Sequence, residues 1–262
     1  MGESNDGIAG GIFTVTGGTQ GVGETVASAL ADAGAAGIVI CGRNNKNGAR
    51  VKAALEGKGA EAEFVEADLE IPEDCRKVIT ATDRRFGRID GLLNAAGCTD
   101  RGTIEDTTVE FWDRMFAINT RAPFILMQDA IKLMKREGTA GAIVNIITMS
   151  SYGGQPKLMP YSASKGALAI LTKNVAHAVR YDRIRVNGVN LGWTDTPAEH
   201  RVQRAEGRPE DWLVKAGAEL PFGRLVQTRD VAALCLFLLG AASGIMTGAL
   251  VDFDQTIMGA FD

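Results

Sequence analysis

Short, uninterrupted apolar runs alternate with helical periodicity along the length of this chain. The runs fall at residues 12–15, 37–41, 62–65, 91–94, 142–147, 184–189 and 249–253. Between them, apolar positions recur with the spacing of a helix buried along one face, over roughly 22–33, 46–57, 73–86, 108–136, 159–180 and 228–240. A strand that alternates apolar and polar residues shows one face to water, whereas one that is apolar throughout is covered on both faces. Strands of the second kind separated by helices imply right-handed crossovers and a parallel sheet between two helical layers. The predicted fold class is therefore α/β, a doubly wound seven-stranded parallel sheet with helices on both faces. The 108–136 helix is expected to break near Pro123, since proline lacks an N–H and crowds the carbonyl four residues back.

No repeat, low-complexity tract or linker interrupts this rhythm, so residues 1–262 are expected to form a single domain with a sizeable core. The segment 194–224 departs from it, with Asp195, His200, Pro209, Trp212 and Pro221 in a long mixed-charge stretch. Connections of that length in compact domains often serve as lids or binding loops, and a substrate lid is expected here. The plainer alternative is a surface insertion with a short helix.

A formal net charge of −4 offers no basic surface for nucleic acid. Cys41, Cys75, Cys98 and Cys235 match no zinc or redox spacing, and Cys41 and Cys235 lie in apolar runs as small core residues. No His/Cys/Asp cluster suggests a metal. Reduced thiols and the polar first ten residues lead to the expectation of a cytoplasmic protein without a signal peptide. The most apolar stretch, 231–239, is too short to span a bilayer.

Two local patterns carry chemistry. After the first run comes Thr16-Gly17-Gly18-Thr19-Gln20-Gly21-Val22-Gly23, then a helix. Glycines at a strand-to-helix turn let backbone approach a diphosphate, and the helix N-terminus offers it free N–H groups and partial positive charge. Further along, Tyr161-Ser162-Ala163-Ser164-Lys165 opens a helix. Four-residue spacing puts the phenol and the ammonium on one face. A tyrosine titrates near about 10, and a close cation is expected to lower that toward a pH useful for proton transfer.

With these two patterns in order, followed by Asn94-Ala95-Ala96-Gly97, Asn119 and Leu191-Gly192, the chain closely resembles the short-chain dehydrogenase/reductase family over essentially its whole length. The resemblance implies a Rossmann-type sheet, a nicotinamide cofactor and hydride transfer between an alcohol and a carbonyl. It assigns Gly17, Thr19, Gln20, Gly21, Val22 and Gly23 to the cofactor turn, and Asp68 with Leu69 to the adenine end. Asn94, Ala95 and Gly97 are assigned to the middle of the cofactor, and Gly192, Thr194 and Thr196 to the nicotinamide end. Asp68 could instead cap the helix before Pro72, and Asn94 could also tie strands together. Tyr161 exchanges the proton in this reading. Lys165 lowers the Tyr161 pKa and binds the nicotinamide ribose, and Asn119 positions a water between Lys165 and solvent.

Two positions depart from the family pattern. Thr148 stands 13 residues before Tyr161, where a serine is usual; its hydroxyl can fill the role, with Ser150 in reserve. Leu191 replaces a proline before Gly192. Gly42 occupies the usual acidic position that selects NAD, and Arg43 follows, which leans the cofactor toward NADP, with NAD as the alternative. A sugar or polyol is the expected substrate; another carbonyl class (3-oxoacyl or steroid-like ketones) and a non-catalytic cofactor-binding protein are the alternatives. Ser151, Tyr152, Gln155, Trp193, His200 and Trp212 are candidate pocket residues. His177, Trp112 and Phe116 read as surface or packing residues. Family members of this branch commonly form tetramers through helices matching 108–136 and 159–180, so a homotetramer, or a homodimer, is expected.

Overall fold

A computed structural model describes residues 7–260. Seven parallel strands form one sheet: β1 (Ile12–Thr16), β2 (Gly37–Gly42), β3 (Glu61–Glu66), β4 (Gly91–Asn94), β5 (Ala142–Ile146), β6 (Arg185–Leu191) and β9 (Leu250–Phe253). Their order across the sheet is β3-β2-β1-β4-β5-β6-β9. The chain builds outward from β1 in one direction, returns, and builds from β4 in the other. Such a reversal opens a crevice at the carboxyl ends of the two central strands.

The central strands are buried along their length because successive residues serve different cores. Ile38 and Ile40 pack into one core with α1 (Gly21–Asp32), α2 (Asn45–Glu56) and α9 (Thr228–Leu239). Val39 and Cys41 enter the other, with α3 (Pro72–Phe86), α5 (Ala122–Glu137) and α6 (Met159–Val179). β1 follows the same rule with a polar twist. Phe13 and Val15 join the first core, and Thr14, fully buried, satisfies its hydroxyl against Thr82 of α3 at 2.8 Å. Thr16 accepts hydrogen bonds from the N–H groups of Ala95 (3.1 Å) and Ala96 (3.2 Å). That clasp holds the exits of β1 and β4 together at the crevice.

The expected break near Pro123 takes a different form. Helix α4 (Val109–Phe116) runs into a single π turn (Ala117–Arg121) and on into α5 with no intervening loop. Pro123 has no N–H for the carbonyl of Asn119 four residues back, and the helix widens there instead of ending. Within 194–224 lie two helices, α7 (Pro197–Ala205) and α8 (Trp212–Ala218). A two-residue parallel ladder, β7 (Thr194–Asp195) with β8 (Val226–Gln227), closes the base of this segment. Among the described residues no helix is long and apolar enough to cross a membrane.

Candidate active site

A cleft of about 1310 Å³ lies at the carboxyl ends of the central strands. It exceeds the ~300–1,000 Å³ usual for one small ligand and has room for a dinucleotide with a substrate. The glycine-rich turn forms its floor. Gly17 (φ +65°) and Gly21 (φ +57°) adopt left-handed backbone that other residues resist. A Cβ on Gly17 would sit 2.9 Å from the Ala96 backbone, and one on Gly18 2.7 Å from Ile40. Gly23 packs directly against the Gly17 carbonyl. The α1 N-terminus carries no side-chain cap, so its first N–H groups have no side-chain acceptor. A backbone cradle with no room for Cβ atoms, facing an uncapped helix start, fits the diphosphate of a nicotinamide dinucleotide.

At the end of β2 a Cβ on Gly42 would approach Thr19 Oγ1 to 2.8 Å, so an acidic side chain there would require Thr19 to move. Arg43 beside it is exposed, lines the cleft and has no ion-pair partner among the described residues. Asp68 also lines the cleft; its carboxylate accepts the Glu70 N–H at 3.1 Å in a tight turn. The cap of α3 is Ile71, so Asp68 does not serve as that helix's cap.

Tyr161, Lys165 and Thr148 converge in the middle of the cleft. The Lys165 ammonium is 3% exposed and donates to the Ile146 carbonyl at 2.7 Å. Burial alone lowers its pKa to about 8. Tyr161 moves the other way. Burial pushes its phenol up to about 12, opposed by a hydrogen bond from Thr148 and by the charge of Arg101. Lys165 is not among the groups that shift the Tyr161 phenol in this structure. The spacing does bring both onto one face of α6, but the ammonium is spent on a strand carbonyl, and desolvation disfavours the charged form of each group. Thr148 Oγ1 accepts from the Ser150 N–H (3.2 Å) and makes only a long 3.4 Å contact to the Leu191 carbonyl, leaving its proton able to turn to Tyr161. Ser150, the reserve, also lines the cleft but gives its hydroxyl proton to Gln155 at 2.8 Å.

Asn119 and Asn94 stand behind the cleft wall, not on it. Asn119 is fully buried; its side chain accepts the Cys98 N–H (2.8 Å) and donates to the Cys98 carbonyl (2.9 Å) and Ser164 (3.0 Å). Its side chain therefore fixes the loop after β4. Asn94 donates to Asn145 at 2.8 Å and ties β4 to β5. Thr19, Gln20, Val22, Leu69, Ala95, Gly97, Gly192, Thr194 and Thr196 all line the cleft. Of the further candidates Gln155 and Trp193 line it, whereas Ser151, Tyr152, His200 and Trp212 do not. Tyr152 donates instead to Asp252 at 2.9 Å, and Trp212 packs edge-on with His200 at 5.0 Å.

The remaining wall is α7, and its residues escaped the sequence reading. Arg101, from the loop after β4, reaches across to Glu206 (3.3 Å) and Glu199 (3.8 Å). Glu199 Oε1 also accepts from Trp193 Nε1 (2.8 Å) and Gln203 Nε2 (2.7 Å). Asp254, following β9, closes over Gly192, so a side chain at 192 would require Asp254 to move. Only the charge-rich composition of 194–224 hinted at this wall.

Comparisons with known proteins agree with this geometry. A family model described as enoyl-(acyl carrier protein) reductase matches residues 17–255. An NADP-dependent (R)-specific alcohol dehydrogenase of Lentilactobacillus kefiri is 31% identical, over 93% of this chain and 95% of that protein. Gluconate 5-dehydrogenase of Gluconobacter oxydans is likewise 31% identical, over 95% of each chain. A crystal structure of a variant actinorhodin polyketide ketoreductase with NADPH superposes with a TM-score of 0.88 at 27% identity, over 94% of this chain and 96% of that one.

Proposed function

The chain belongs to the short-chain dehydrogenase/reductase family and is an oxidoreductase acting on CH–OH groups, and from that premise we propose that it interconverts an alcohol and a carbonyl on a sugar or polyol, with NADP(H) preferred to NAD(H). The observation that carries the chemistry is the meeting of the Tyr161 phenol and the Thr148 hydroxyl beside a buried Lys165 in the crevice above the sheet. A bound nicotinamide ring supplies the hydride acceptor or donor. Tyr161 and Thr148 hold the substrate oxygen between two hydroxyls. In the reductive direction Tyr161 gives that oxygen its proton, and a phenol raised by burial keeps the proton at neutral pH until it is needed. In the oxidative direction it takes the proton back. The Lys165 ammonium, with its pKa near 8, stays largely charged at neutral pH and is poised to bond a ribose hydroxyl.

The preference for NADP(H) is supported by the unpartnered Arg43 and by the lack of an acid at Gly42. The segment 194–224 acts as the substrate lid, a reading supported by the α7 residues on the cleft wall. A single domain, a cytoplasmic location and a homotetramer complete the proposal. Large apolar side chains exposed on α4, α5 and α6 (Val109, Phe124 and Ile170) support the assembly.

A sugar or polyol suits a wall that carries Gln155, Glu199, Gln203 and Asp254. The competing reading is a reductase of 3-oxoacyl or steroid-like ketones, favoured by the description of the family model and by the polyketide ketoreductase likeness. Purified protein incubated with either nucleotide and a panel of sugars, polyols, apolar ketones and acyl thioesters separates the two. Turnover of hydroxylated substrates with NADP(H) is expected; turnover confined to apolar ketones or thioesters contradicts the substrate assignment. No change in nucleotide absorbance with any substrate would leave only a cofactor-binding protein.

A further inference from the structure

We propose that Glu199 and Gln203 of α7 form an acceptor subsite that binds a hydroxyl of the substrate next to its reacting carbon. The proposal rests on the alcohol–carbonyl reading above and extends it to named side chains.

The key atom is Gln203 Oε1. The residue is 4% exposed, lines the cleft, and its Oε1 has no hydrogen-bond partner. The amide orientation follows from chemistry. Glu199 Oε1 receives the indole N–H of Trp193 and faces the guanidinium of Arg101, and both of those groups can only donate. That oxygen is therefore an acceptor, and the Gln203 group at 2.7 Å from it must be the NH₂ end. Gln203 Oε1 is left as a buried acceptor without a donor, an unfavourable state unless something supplies one.

A second acceptor lies on the same side chain network. All the contacts to the Glu199 carboxylate converge on Oε1, and no hydrogen bond is made to Oε2 among the described residues. Glu199 is held rigidly, with Trp193 stacked on Trp212 at 5.9 Å and Arg101 bridging to Glu206 behind it. Glu199, Gln203 and Tyr161 line the same cleft, so the pair shares that space with the proton-transfer group. Two fixed acceptors beside the proton-transfer group select a ligand that brings O–H donors there. A hydroxyl flanking the reacting carbon provides them; a thioester or a plain ketone brings acceptors or nothing. The Trp193 ring, also on the cleft wall, offers an apolar surface for the C–H face of such a ligand.

The test compares cyclohexanediol with cyclohexanol, a vicinal diol and its matching monool, in the wild-type protein, Gln203→Met and Glu199→Gln. Wild type is expected to favour the diol in kcat/KM. In Gln203→Met the diol-to-monool ratio is expected to fall about tenfold or more, chiefly through KM for the diol. Glu199→Gln is expected to lower the same ratio, and it gives the readout if Gln203→Met does not fold. An unchanged ratio in the folded variants, or an equal loss on both alcohols, overturns the subsite while leaving the alcohol–carbonyl activity standing. Turnover of neither alcohol by wild type, in either direction, sinks the underlying reading and the subsite with it.

Discussion

The two walls of the cleft are made from different materials. The wall beneath the expected nucleotide is backbone: left-handed glycines and an uncapped helix start. The wall facing it is side chain: Arg101 from one loop, Glu199 and Gln203 from α7, Glu206 just after it, and Asp254 from the tail of the sheet. Backbone walls tolerate little substitution because conformation itself is the functional group. Side-chain walls can be altered residue by residue while the fold stays the same. A shared scaffold can thus keep one nucleotide site and change its substrates.

The largest effect is expected on the backbone wall. Gly17→Val puts a β-branched residue at φ +65° with its Cβ against Ala96. A loss of about 2–4 kcal/mol in stability is expected from left-handed strain and overpacking, together with loss of the thermal stabilisation expected of the wild-type protein with a nicotinamide nucleotide. Retained nucleotide binding in this variant would break the contrast between the walls.

Between the walls, Lys165→Met is expected to stabilise the nucleotide-free protein while abolishing most turnover. A buried ammonium is removed, for a gain of roughly 1–3 kcal/mol at neutral pH. The gain should depend on pH in one direction. Lys165 titrates near 8 in the folded protein, below its ordinary 10.5. The native state is therefore penalised most when the lysine is charged in both states, below pH 8. The penalty fades as pH rises from about 8 to 10.5, so the advantage of the variant should shrink over that window. Denaturant titrations of both proteins across this range check it.

A smaller effect is expected at the adenine end. Arg43→Glu replaces an exposed, unpartnered guanidinium by an acid. The ratio of kcat/KM for NADP to that for NAD should fall about 10- to 100-fold, which is about 1.4–2.7 kcal/mol. Steady-state kinetics with each nucleotide measures it, and an unchanged ratio would move phosphate recognition elsewhere.

The same contrast explains what could be read from the sequence. Burial on both faces writes itself as continuous apolar runs, and the boundaries of α1, α2 and β4 follow within a residue or so. A glycine turn is legible because the left-handed backbone at 17 and 21 strongly favours glycine. The Tyr161–Lys165 spacing anticipated that both residues line the cleft but not the direction of their electrostatics. Spacing reports which helix face is shared, while the pKa shifts of both groups are set first by depth of burial. Arg101 and Glu206 lie 105 positions apart and meet only after α7 has docked, so neither carries a local signal. Asn119 lies in the π turn, and the bonds of its side chain to Cys98 on the loop after β4 carry no local signal in the sequence.

The most direct test of the account is turnover by Tyr161→Phe with NADP(H) and the best hydroxylated substrate, measured beside the nucleotide dissociation constant. The substitution keeps the ring in its packing against Cys98 and Met115 and removes only the hydroxyl. A fall in kcat of about 10²–10⁴-fold, with nucleotide affinity unchanged, is the predicted result. Turnover within a few-fold of wild type would contradict the assignment of the transferred proton to Tyr161.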